Sequence, residues 1–505
     1  MNLSTPAIDI DGALRREFRM LIGGRLVHAS DRATLESMNP ATGQSLAVVP
    51  NAGPADVDKA VAAARQAYPA WRALPFGKRH DIVRALTQVL RDRADFFGLL
   101  DTLDTGNVYS AMRLDAVGGA EMIEYYAAIA HEIKGEVTHL DNNLHFTRRE
   151  PYGVVARLLP FNHPIASLAT ALAAPLLTGN CLVMKPSPHS PLSALAFGEA
   201  VRDILPPGVL NIVTGDNERT SIPLISHPDV DRIALIGSVE AGRAVMRIAS
   251  ERLVPVTLEL GGKNPLIIFP DADVDHAVDV AVAGMNFLWQ GHSCGSTSRV
   301  LVHESLKKPF VEKLAERAGR VKVALPTDPA AEMGAISFKA LYDRCQHYVK
   351  TGREEGAKLV VGGNRPSDPS LQDGFFMTPA VFAEAEPHMR ISREEIFGPI
   401  ITVLSWDNYD RMLEVANGLL YGLTAALITN DLHVAHRTAE ALQAGYIEVN
   451  GPVSFAQGSP FGGFKQSGTG REGSFDEILS YTQIKSINVR LKSRSTVGTT
   501  LSGQG

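Results

Sequence analysis

The stretch RIALIGSVEAGRAVM, residues 232–246, contains both halves of an α/β unit. An apolar run over 232–236 predicts a buried strand, Gly237 and Ser238 follow it directly, and Gly242 lies where a helix begins. A strand that passes through glycine into a helix N-terminus presents free backbone N–H groups, which suit a pyrophosphate. The glycine spacing is not that of the six-position dinucleotide fingerprint, so the motif alone also fits a plain turn.

Strands and helices alternate on both sides of this stretch. Before Lys263 the apolar runs that predict strands lie at residues 154–159, 181–184, 209–213, 232–236 and 256–260. After it they lie at residues 265–269, 299–302, 400–405, 425–429 and 446–449. Such alternation is typical of parallel, doubly wound sheets. The sequence therefore predicts an α/β fold with two doubly wound blocks.

Other segments predict helices and a small β arm. Helical periodicity covers residues 56–72, 78–100 and 164–177. Two β-patterned runs around Asp141, Asn142 and Asn143 predict a hairpin. The run YTQIKSINVRL, residues 481–491, alternates like a strand and would be an unprotected edge alone, so we expect it to pair with another element or another subunit. The final residues 495–505 are expected to be disordered.

Composition excludes several classes of function. The chain has 505 residues, of which 45% are hydrophobic and 21% charged, so two or three soluble domains are expected. The formal net charge of -6 gives no general reason to bind nucleic acid or an anionic membrane. The longest apolar region, residues 165–185, is broken by Pro175, Gly179 and Asn180, so it predicts no membrane span. We expect neither nucleic acid nor membrane as a partner.

The cysteines are Cys181, Cys294 and Cys345. They are too few and too scattered for a disulfide framework or a metal cluster, so no metal is expected. The N-terminus lacks a basic start followed by an apolar run, so no signal peptide is indicated. These features favour a reducing compartment and predict a cytoplasmic location.

Three residues stand where chemistry is expected. Cys294 lies among small residues in WQGHSCGSTSR, although a lone cysteine is more often a small buried hydrophobe. Lys185 ends a buried strand, where an open α/β sheet places its ligand, or it is a solvated lysine. Glu259 ends another strand, where partial desolvation would raise its pKa and suit a general base, or it is a capping or ion-paired glutamate.

The order of the motifs is more specific than any one of them. Along residues 18–491 the chain is similar to the aldehyde dehydrogenase superfamily, NAD(P)-dependent enzymes that oxidise aldehydes to acids. The motifs that carry the resemblance are PFNHP (160–164), MKPS (184–187), GSVEAG (237–242), LELGGKNP (258–265), GHSCGSTSR (291–299), EEIFGPI (394–400) and PFGGFKQSGTGRE (460–472).

The resemblance implies a catalytic set. Cys294 would be the nucleophile, and the side-chain amide of Asn162 with the Cys294 N–H would bind the oxyanion that its attack creates. Glu259 would activate the water that releases the acid. Glu472 matches a family glutamate sometimes placed in a proton relay, and its structural alternative is a carboxylate satisfied by backbone N–H groups.

The resemblance also implies a cofactor site. The matching residues are Lys185 and Glu395 for the two riboses, Phe397 beside the nicotinamide, Gly237 and Ser238 at the pyrophosphate, and Ser187 and Leu260 in the adjoining motifs. NAD is the predicted cofactor. NADP stays open, because Pro188 stands where many NAD-preferring relatives carry a glutamate that repels a 2′-phosphate.

Trp289, His163 and Phe455 are predicted to line the substrate site and suggest an aromatic or medium-length apolar aldehyde. A semialdehyde or an amino-aldehyde of the betaine aldehyde kind is the alternative within this chemistry. His163 and His292 depart from the family pattern. A histidine there tunes the thiol or binds a polar substrate group, or it is a packed histidine bonded to backbone.

Three other functions are alternatives to aldehyde oxidation. A coenzyme A-acylating enzyme typically lacks the general base, and Glu259 is present. A thiol esterase needs only Cys294 and the oxyanion donors. A non-catalytic structural protein would be marked by loss of Cys294, Glu259 or Asn162, and all three are intact.

The resemblance finally implies an architecture. It divides the chain into a loose arm (1–17), an NAD(P)-binding domain (18–134 and 154–262), a catalytic domain (263–477) and a small bridging β domain (135–153 and 478–495). The bridging domain would extend a neighbouring subunit's sheet, so a homodimer or homotetramer is expected.

Overall fold

The strand Arg232–Gly237 of the stretch 232–246 lies in an eight-stranded sheet, and the helix Val239–Ser250 follows it. The computed structural model of the protein describes residue 12 and residues 14–140 and 143–490. In spatial order the strands of this first sheet are Gly468–Thr469, Val256–Leu260, Arg232–Gly237, Val154–Leu158, Cys181–Lys185, Leu210–Ile212, Met20–Ile22 and Arg25–Val27. The strands from Val256–Leu260 to Leu210–Ile212 are parallel and the outer ones antiparallel. The predicted strands of this block are confirmed within one or two residues.

The order in which the chain fills this sheet opens a crevice. The chain enters its middle at Val154–Leu158 and adds Cys181–Lys185 and Leu210–Ile212 on one side. It then crosses over and adds Arg232–Gly237 and Val256–Leu260 on the other side. Ligands of open α/β sheets bind where the strand order reverses in this way, outside the carboxyl ends of the strands. Residues that follow these strands therefore converge on one edge.

The second sheet has seven strands. Their spatial order is Lys358–Val361, Ala380–Ala383, Ile400–Trp406, Arg299–His303, Pro265–Ile268, Thr424–Ile428 and Tyr446–Val449. All neighbours are parallel except the first pair. The α/β class with two mainly parallel sheets is thus confirmed. Lys358–Val361 and Ala380–Ala383 were not predicted.

Two smaller antiparallel sheets complete the β structure. Thr482–Arg490 pairs along its length with Asn143–Pro151, which also pairs with Val137–Leu140. The predicted pairing of the tail is therefore confirmed within the chain, whereas Asp141 and Asn142 of the predicted turn lie outside the described residues. Thr34–Asn39 and Gln44–Pro50 form a hairpin that was not predicted. Residues 1–11 of the predicted arm and the tail 491–505 also lie outside the described ranges.

The helices cover the sheets, and one prediction about them is wrong. The helix predicted over residues 78–100 is two helices separated at Arg93, whose φ of -117° and ψ of 21° leave the helical region. The apolar pattern runs across this point without glycine or proline, so the sequence carries no break signal. The α-helices are Pro54–Ala73, Phe76–Asp92, Ala94–Thr105, Tyr109–Ile129, Pro164–Thr178, Leu192–Val201, Ile222–Ser226, Val239–Ser250, Val274–Gly284, Glu304–Gly319, Lys339–Glu354, Arg390–Arg393, Tyr409–Asn417, Leu432–Ala441 and Phe475–Ser480.

Two helices beside the first sheet approach each other closely. Tyr109–Ile129 packs on Pro164–Thr178 at Gly119, where an added Cβ would lie 2.7 Å from the Cβ of Ala169. Gly119 is therefore needed for this helix crossing.

In the described part of the chain, no helix is long and apolar enough to cross a membrane. The division into domains stays a prediction; Gly468–Thr469, from the segment predicted to be catalytic, pairs with the first sheet.

Adding one methyl group at Gly119 should destabilise the protein, and adding it one residue earlier should not. Gly119→Ala forces the helices apart and should lower the free energy of unfolding by roughly 1–3 kcal/mol. At Gly118 an added Cβ meets nothing within 4 Å. Gly118→Ala should be neutral or stabilising by up to about 1 kcal/mol, since alanine favours the helix. Urea unfolding of both variants measures the difference, and equal effects would contradict the close contact.

Candidate active site

A cavity of about 590 Å³ opens at the carboxyl edge of the first sheet. Cavities of this size suit a small-molecule substrate. Its walls bring together residues predicted from separate motifs, namely Asn162, His163, Glu259, Trp289, Cys294, Phe455 and Glu472.

The loop that carries Cys294 is held by an asparagine. Asn264 donates from its side-chain amide to the carbonyl oxygens of Cys294, at 2.6 Å, and Ser296, at 3.0 Å. Its amide oxygen accepts the N–H of Thr424 at 3.2 Å. Upstream, Asn286 and Gln290 have φ of 55° and 51°, a conformation that costs energy in residues other than glycine. The cysteine is thus presented by a braced and locally strained turn.

Cys294 is a thiol at rest. The residue is partly accessible from the cavity, while Cys181 and Cys345 are buried, and all three are free. Burial raises the pKa of the Cys294 thiol to about 12, and the negative charges of Glu259, Glu395 and Glu472 act in the same direction. The thiol must therefore lose its proton as it reacts, because the thiolate is the nucleophile.

Two N–H donors suited to an oxyanion belong to residues that line this cavity, Asn162 and Cys294. The amide of Asn162 donates to the carbonyl of His292 at 2.7 Å, which uses one of its two N–H groups. Asn107 donates to the Asn162 carbonyl at 2.8 Å and fixes its backbone. Among the described residues, the Cys294 N–H donates to no backbone carbonyl. One amide proton and one backbone proton are left for a ligand.

Glu259 is a buried carboxyl without donors. It lies near the end of the strand Val256–Leu260, and neither side-chain oxygen has a hydrogen-bond partner among the described residues. Burial raises its pKa well above the usual value, and the charge of Glu472 adds to this effect. Such a group exchanges protons easily with a ligand and is suited to act as a general base.

Glu472 has a different partner from the one expected. Its carboxylate pairs with the buried guanidinium of Arg157, which also donates to the Tyr481 hydroxyl at 2.9 Å. The alternative in which backbone N–H groups satisfy the Glu472 carboxylate is therefore wrong, because the partner is the Arg157 side chain. The relay role stays a prediction.

Arg157, Glu477 and Tyr126 were missed by the sequence analysis. Glu477 accepts hydrogen bonds from the Tyr126 hydroxyl and from the N–H of Gly473 at 2.8 Å, and burial raises its pKa to about 7. Glu477 and Tyr126 line the cavity beside Glu472. A charged residue inside the buried strand Val154–Leu158 is a signal that could have revealed Arg157, since buried arginines need paired acids.

The two unusual histidines have side-chain partners. His163 Nδ1 lies 2.8 Å from Asp115 Oδ2, and its ring centroid lies 5.2 Å from that of Trp289. His292 Nδ1 lies 3.1 Å from the Ser337 hydroxyl. The alternative of packed histidines bonded to backbone is wrong in its hydrogen-bond partner for both rings, whereas His292 is buried and packed as that alternative expected. Asp115, the partner of His163, was also missed.

His292 is uncharged at neutral pH. Burial lowers its pKa to about 3, and the nearby His163 adds to this shift. Its ring is stacked on Phe397, with centroids 5.8 Å apart and planes 7° from parallel. It therefore supports Phe397 and, through its carbonyl, Asn162, and it brings no positive charge to the thiol.

The predicted cofactor residues lie around the crevice of the first sheet. Lys185 ends the strand Cys181–Lys185 in a buried position, and burial lowers its pKa to about 8 against the opposing charge of Asp216. Gly237 ends its strand, and the Ser238 side chain caps the helix Val239–Ser250 by accepting the N–H of Ala241 at 3.2 Å. A cation and a helix N-terminus at one crevice fit a dinucleotide.

Glu395 and Phe397 lie on the other side of the crevice. The Glu395 carboxylate accepts the N–H of Gly262 at 3.0 Å, and an added Cβ at Gly261 would lie 1.9 Å from it. Burial raises the pKa of Glu395 to about 7. Phe397 has a φ of 61°, a strained conformation of the kind found at functional sites.

Ser187 and Leu260 have local contacts. The Ser187 hydroxyl accepts the N–H of His189 at 3.2 Å. Leu260 is buried, and an added Cβ at Gly242 would lie 2.5 Å from its side chain, so Gly242 lets helix and strand approach. Among the described residues, no three histidines, cysteines or acids are grouped to hold a metal ion.

Comparisons with known proteins agree on one family. The aldehyde dehydrogenase family model matches residues 26–487. The aldehyde dehydrogenase tropH of Talaromyces stipitatus is 40% identical over 479 residues, which cover 93% of each chain. The aldehyde dehydrogenase of Bacillus cereus in its NAD+ complex is 35% identical, with a TM-score of 0.93 over 96% of this chain and 98% of that chain. Betaine aldehyde dehydrogenase of Staphylococcus aureus in complex with NAD+ is 30% identical, with a TM-score of 0.93 over 97% and 98%.

The buried His292 should make stability depend on pH. Its pKa is lowered in the folded state and is near 6.5 in the unfolded state, so only the unfolded chain takes up a proton as pH falls below 6.5. This stability is fully present above pH 6.5 and is lost towards the folded pKa of about 3. Between pH 6.5 and 5 the loss should reach about 2 kcal/mol.

Urea unfolding at several pH values measures this loss in the wild type and in His292→Gln. The variant has no imidazole to protonate at this position, so its free energy of unfolding should depend less on pH over that range. His388→Gln is the control, since His388 is exposed. Parallel curves for the wild type and His292→Gln would show that His292 is not held neutral in the folded state.

Proposed function

The chain belongs to the aldehyde dehydrogenase family, and we propose that it oxidises an aromatic or medium-length apolar aldehyde to the acid through a covalent intermediate on Cys294. As a member of that family it is an NAD(P)-dependent enzyme with the aldehyde dehydrogenase fold. The observation that carries the proposal is one cavity in which a cysteine, two available N–H donors and a carboxyl without partners meet.

The first step is attack of the Cys294 sulfur on the aldehyde carbon. A C–S bond forms, and the carbonyl π pair moves to oxygen. The oxyanion is then stabilised by the Asn162 amide and the Cys294 N–H, which are already fixed in a nearly dry site. Because its pKa is about 12, the thiol loses its proton as the C–S bond forms, and this proton passes to solvent.

The bound cofactor supplies the acceptor for the hydride that leaves the former aldehyde carbon. Lys185, Ser238, Glu395 and Phe397 are the residues that would hold and orient it. Loss of the hydride leaves a thioester on Cys294.

Glu259 completes the cycle. As a base it takes a proton from water, whose oxygen attacks the thioester carbon. The C–S bond breaks, the acid departs, and the sulfur recovers a proton. Only the ionised form of Glu259 can do this, and its pKa is raised, so the hydrolysis rate should increase with pH through that pKa.

The cavity walls support an apolar substrate. Trp289, Phe455, Phe461, Met122 and Val453 form much of the lining. Among the described lining residues there is no lysine or arginine to bind the carboxylate of a semialdehyde. An aromatic ring or medium-length chain suits this surface through area burial and ring contacts.

We also infer a homodimer or homotetramer in the cytoplasm. The sheet formed by Val137–Leu140, Asn143–Pro151 and Thr482–Arg490 exposes Val137 and Ile484, and its outer strands are edges. Edge strands of this kind are normally covered, here by a second copy. The free cysteines support a reducing compartment.

A panel of aldehydes, followed by the absorbance of the reduced cofactor, tests the function. Benzaldehyde and medium-length aliphatic aldehydes should be oxidised with higher kcat/KM than amino-aldehydes or carboxylate-bearing aldehydes. Cys294→Ala should abolish turnover. Glu259→Gln should keep a burst of reduced cofactor and lose at least about 100-fold in steady-state rate, because the thioester accumulates.

Three results would contradict the proposal. Preference for amino-aldehydes would favour the betaine-aldehyde alternative. Product that forms only with coenzyme A would favour the acylating branch. Unchanged hydrolysis in Glu259→Gln would remove Glu259 as the base.

Position 188 should set the choice of cofactor. Pro188 is half-buried near Lys185, and Pro188→Glu places a negative charge where the adenosine ribose is expected. It should reduce kcat/KM with NADP about 10-fold or more and spare NAD, since it repels a 2′-phosphate. Pro188→Gln, which has the same length without charge, is the control. Equal losses with both cofactors in Pro188→Glu would place the adenosine ribose elsewhere.

A further inference from the structure

The oxidation steps leave one hydrogen-bonded pair of side chains in the cavity without a role. His163 and Asp115 both line the cavity, with Nδ1 and Oδ2 2.8 Å apart. Their side chains are 28% and 13% exposed, so the pair lies at the wall and is open to the cavity. Neither residue acts on the sulfur, the oxyanion or the hydrolytic water.

The pair is held rigidly. Asp115 lies on the helix Tyr109–Ile129, and His163 precedes the first residue of the helix Pro164–Thr178. The two helices cross in close contact at Gly119 and Ala169. The backbone carbonyl of His163 also accepts the N–H of Ser167 at 2.8 Å. A ring fixed in this way presents its polar atoms in a constant direction, as a binding group needs.

The pair leaves one ring nitrogen available. Asp115 binds Nδ1, and in the part of the chain that the structure describes no group bonds Nε2 of His163. With the proton on Nδ1, Nε2 is an acceptor, and in the imidazolium it is a donor. A hydroxyl satisfies both forms, because it donates and accepts. A carboxylate would instead face the negative charges of Asp115 and Glu121 in the same cavity.

Aromatic rings line the same cavity as His163. The Trp289 ring centroid lies 5.2 Å from that of His163, and Phe455 and Phe461 pack edge to face at 5.8 Å in the same cavity. A flat ring between them would gain contact area and bring a ring substituent to the His163 side.

Resting on the proposed function, we propose that the preferred substrate is a hydroxylated aromatic aldehyde, whose ring hydroxyl binds Nε2 of His163 while Asp115 positions the imidazole. His163 is then a specificity-determining residue and Asp115 a positioning residue. The hydroxyl is bound by the residue that directly follows Asn162, so one chain segment contacts both the carbonyl and the hydroxyl.

The test compares benzaldehyde with 2-, 3- and 4-hydroxybenzaldehyde as substrates of the wild type and of variants in which His163 or Asp115 is replaced. The wild type should prefer at least one hydroxylated isomer. His163→Phe keeps a ring against Trp289 and should reduce kcat/KM for that isomer roughly 10- to 100-fold, with benzaldehyde changed by less than about threefold. Asp115→Asn should raise KM for the same isomer and leave kcat nearly unchanged. Thr170→Val removes a hydroxyl of the same cavity that already bonds within its helix, and it should alter neither ratio.

Two results would overturn the proposal. Equal losses for benzaldehyde and its hydroxylated forms in His163→Phe would mean that the histidine serves the reaction and not the recognition of a hydroxyl. The proposal would also be overturned if the wild type showed no preference for any hydroxylated isomer over benzaldehyde.

Failure of the proposed function is distinguished by binding. Titration calorimetry with Cys294→Ala measures affinity for the same aldehydes without turnover. If no aldehyde is oxidised, the proposed function fails. The calorimetry then tests by itself whether His163 and Asp115 bind a ring hydroxyl. The proposal is supported if Cys294→Ala binds a hydroxylated isomer more tightly than benzaldehyde and if this preference is lost when His163→Phe is added to that variant. Equal binding of all four aldehydes overturns the proposal.

Discussion

The three hydrogen bonds of the Asn264 side chain connect the parts on which this site depends. Asn264 lies between Val256–Leu260 of the first sheet and Pro265–Ile268 of the second, so the same short segment carries Glu259 at one end. Its amide holds the loop of Cys294, and its oxygen holds Thr424 at the start of another strand. Because buried backbone groups must be paired, the loop cannot move without leaving carbonyls unsatisfied. The relative positions of Glu259 and Cys294 are thereby constrained by the joining of the two sheets.

This arrangement concentrates acids in a place with little water. Glu259, Glu472 and Glu477 line one cavity and share the positive charge of Arg157. Burial raises the pKa values of Glu259 and Glu477, so both hold protons more tightly than exposed acids do. At Glu259, whose carboxyl has no partner among the described residues, an apolar side chain would be more stable. Groups whose pKa values are shifted by burial are characteristic of sites that move protons, and the proposed role of Glu259 would account for this destabilising choice.

Part of this could be predicted from sequence. The strand Cys181–Lys185 is buried at every position, and the continuous apolar run over residues 181–184 encodes that burial locally. Cys294 and Glu259 were singled out from motifs that place small residues beside them, and the structure brings both residues to one cavity. The break at Arg93 could not, since packing of the next helix into the core decides it and no local residue marks it. Asp115 and Glu477 were missed because their importance comes from long-range contacts, with His163 in one case and Tyr126 in the other.

His163 shows how recognition and reaction become coupled. It follows Asn162 directly, so the backbone that holds the proposed oxyanion donor also holds the imidazole proposed to bind the rest of the ligand. Asn107 holds the Asn162 carbonyl, and His292 receives its amide, while Asp115 orients the neighbouring imidazole. A ligand that binds this imidazole is therefore placed relative to the oxyanion donors, not merely retained in the cavity. Binding energy gained away from the reacting carbon then improves its alignment with Cys294, which lowers the barrier for the correct substrate more than for a smaller one.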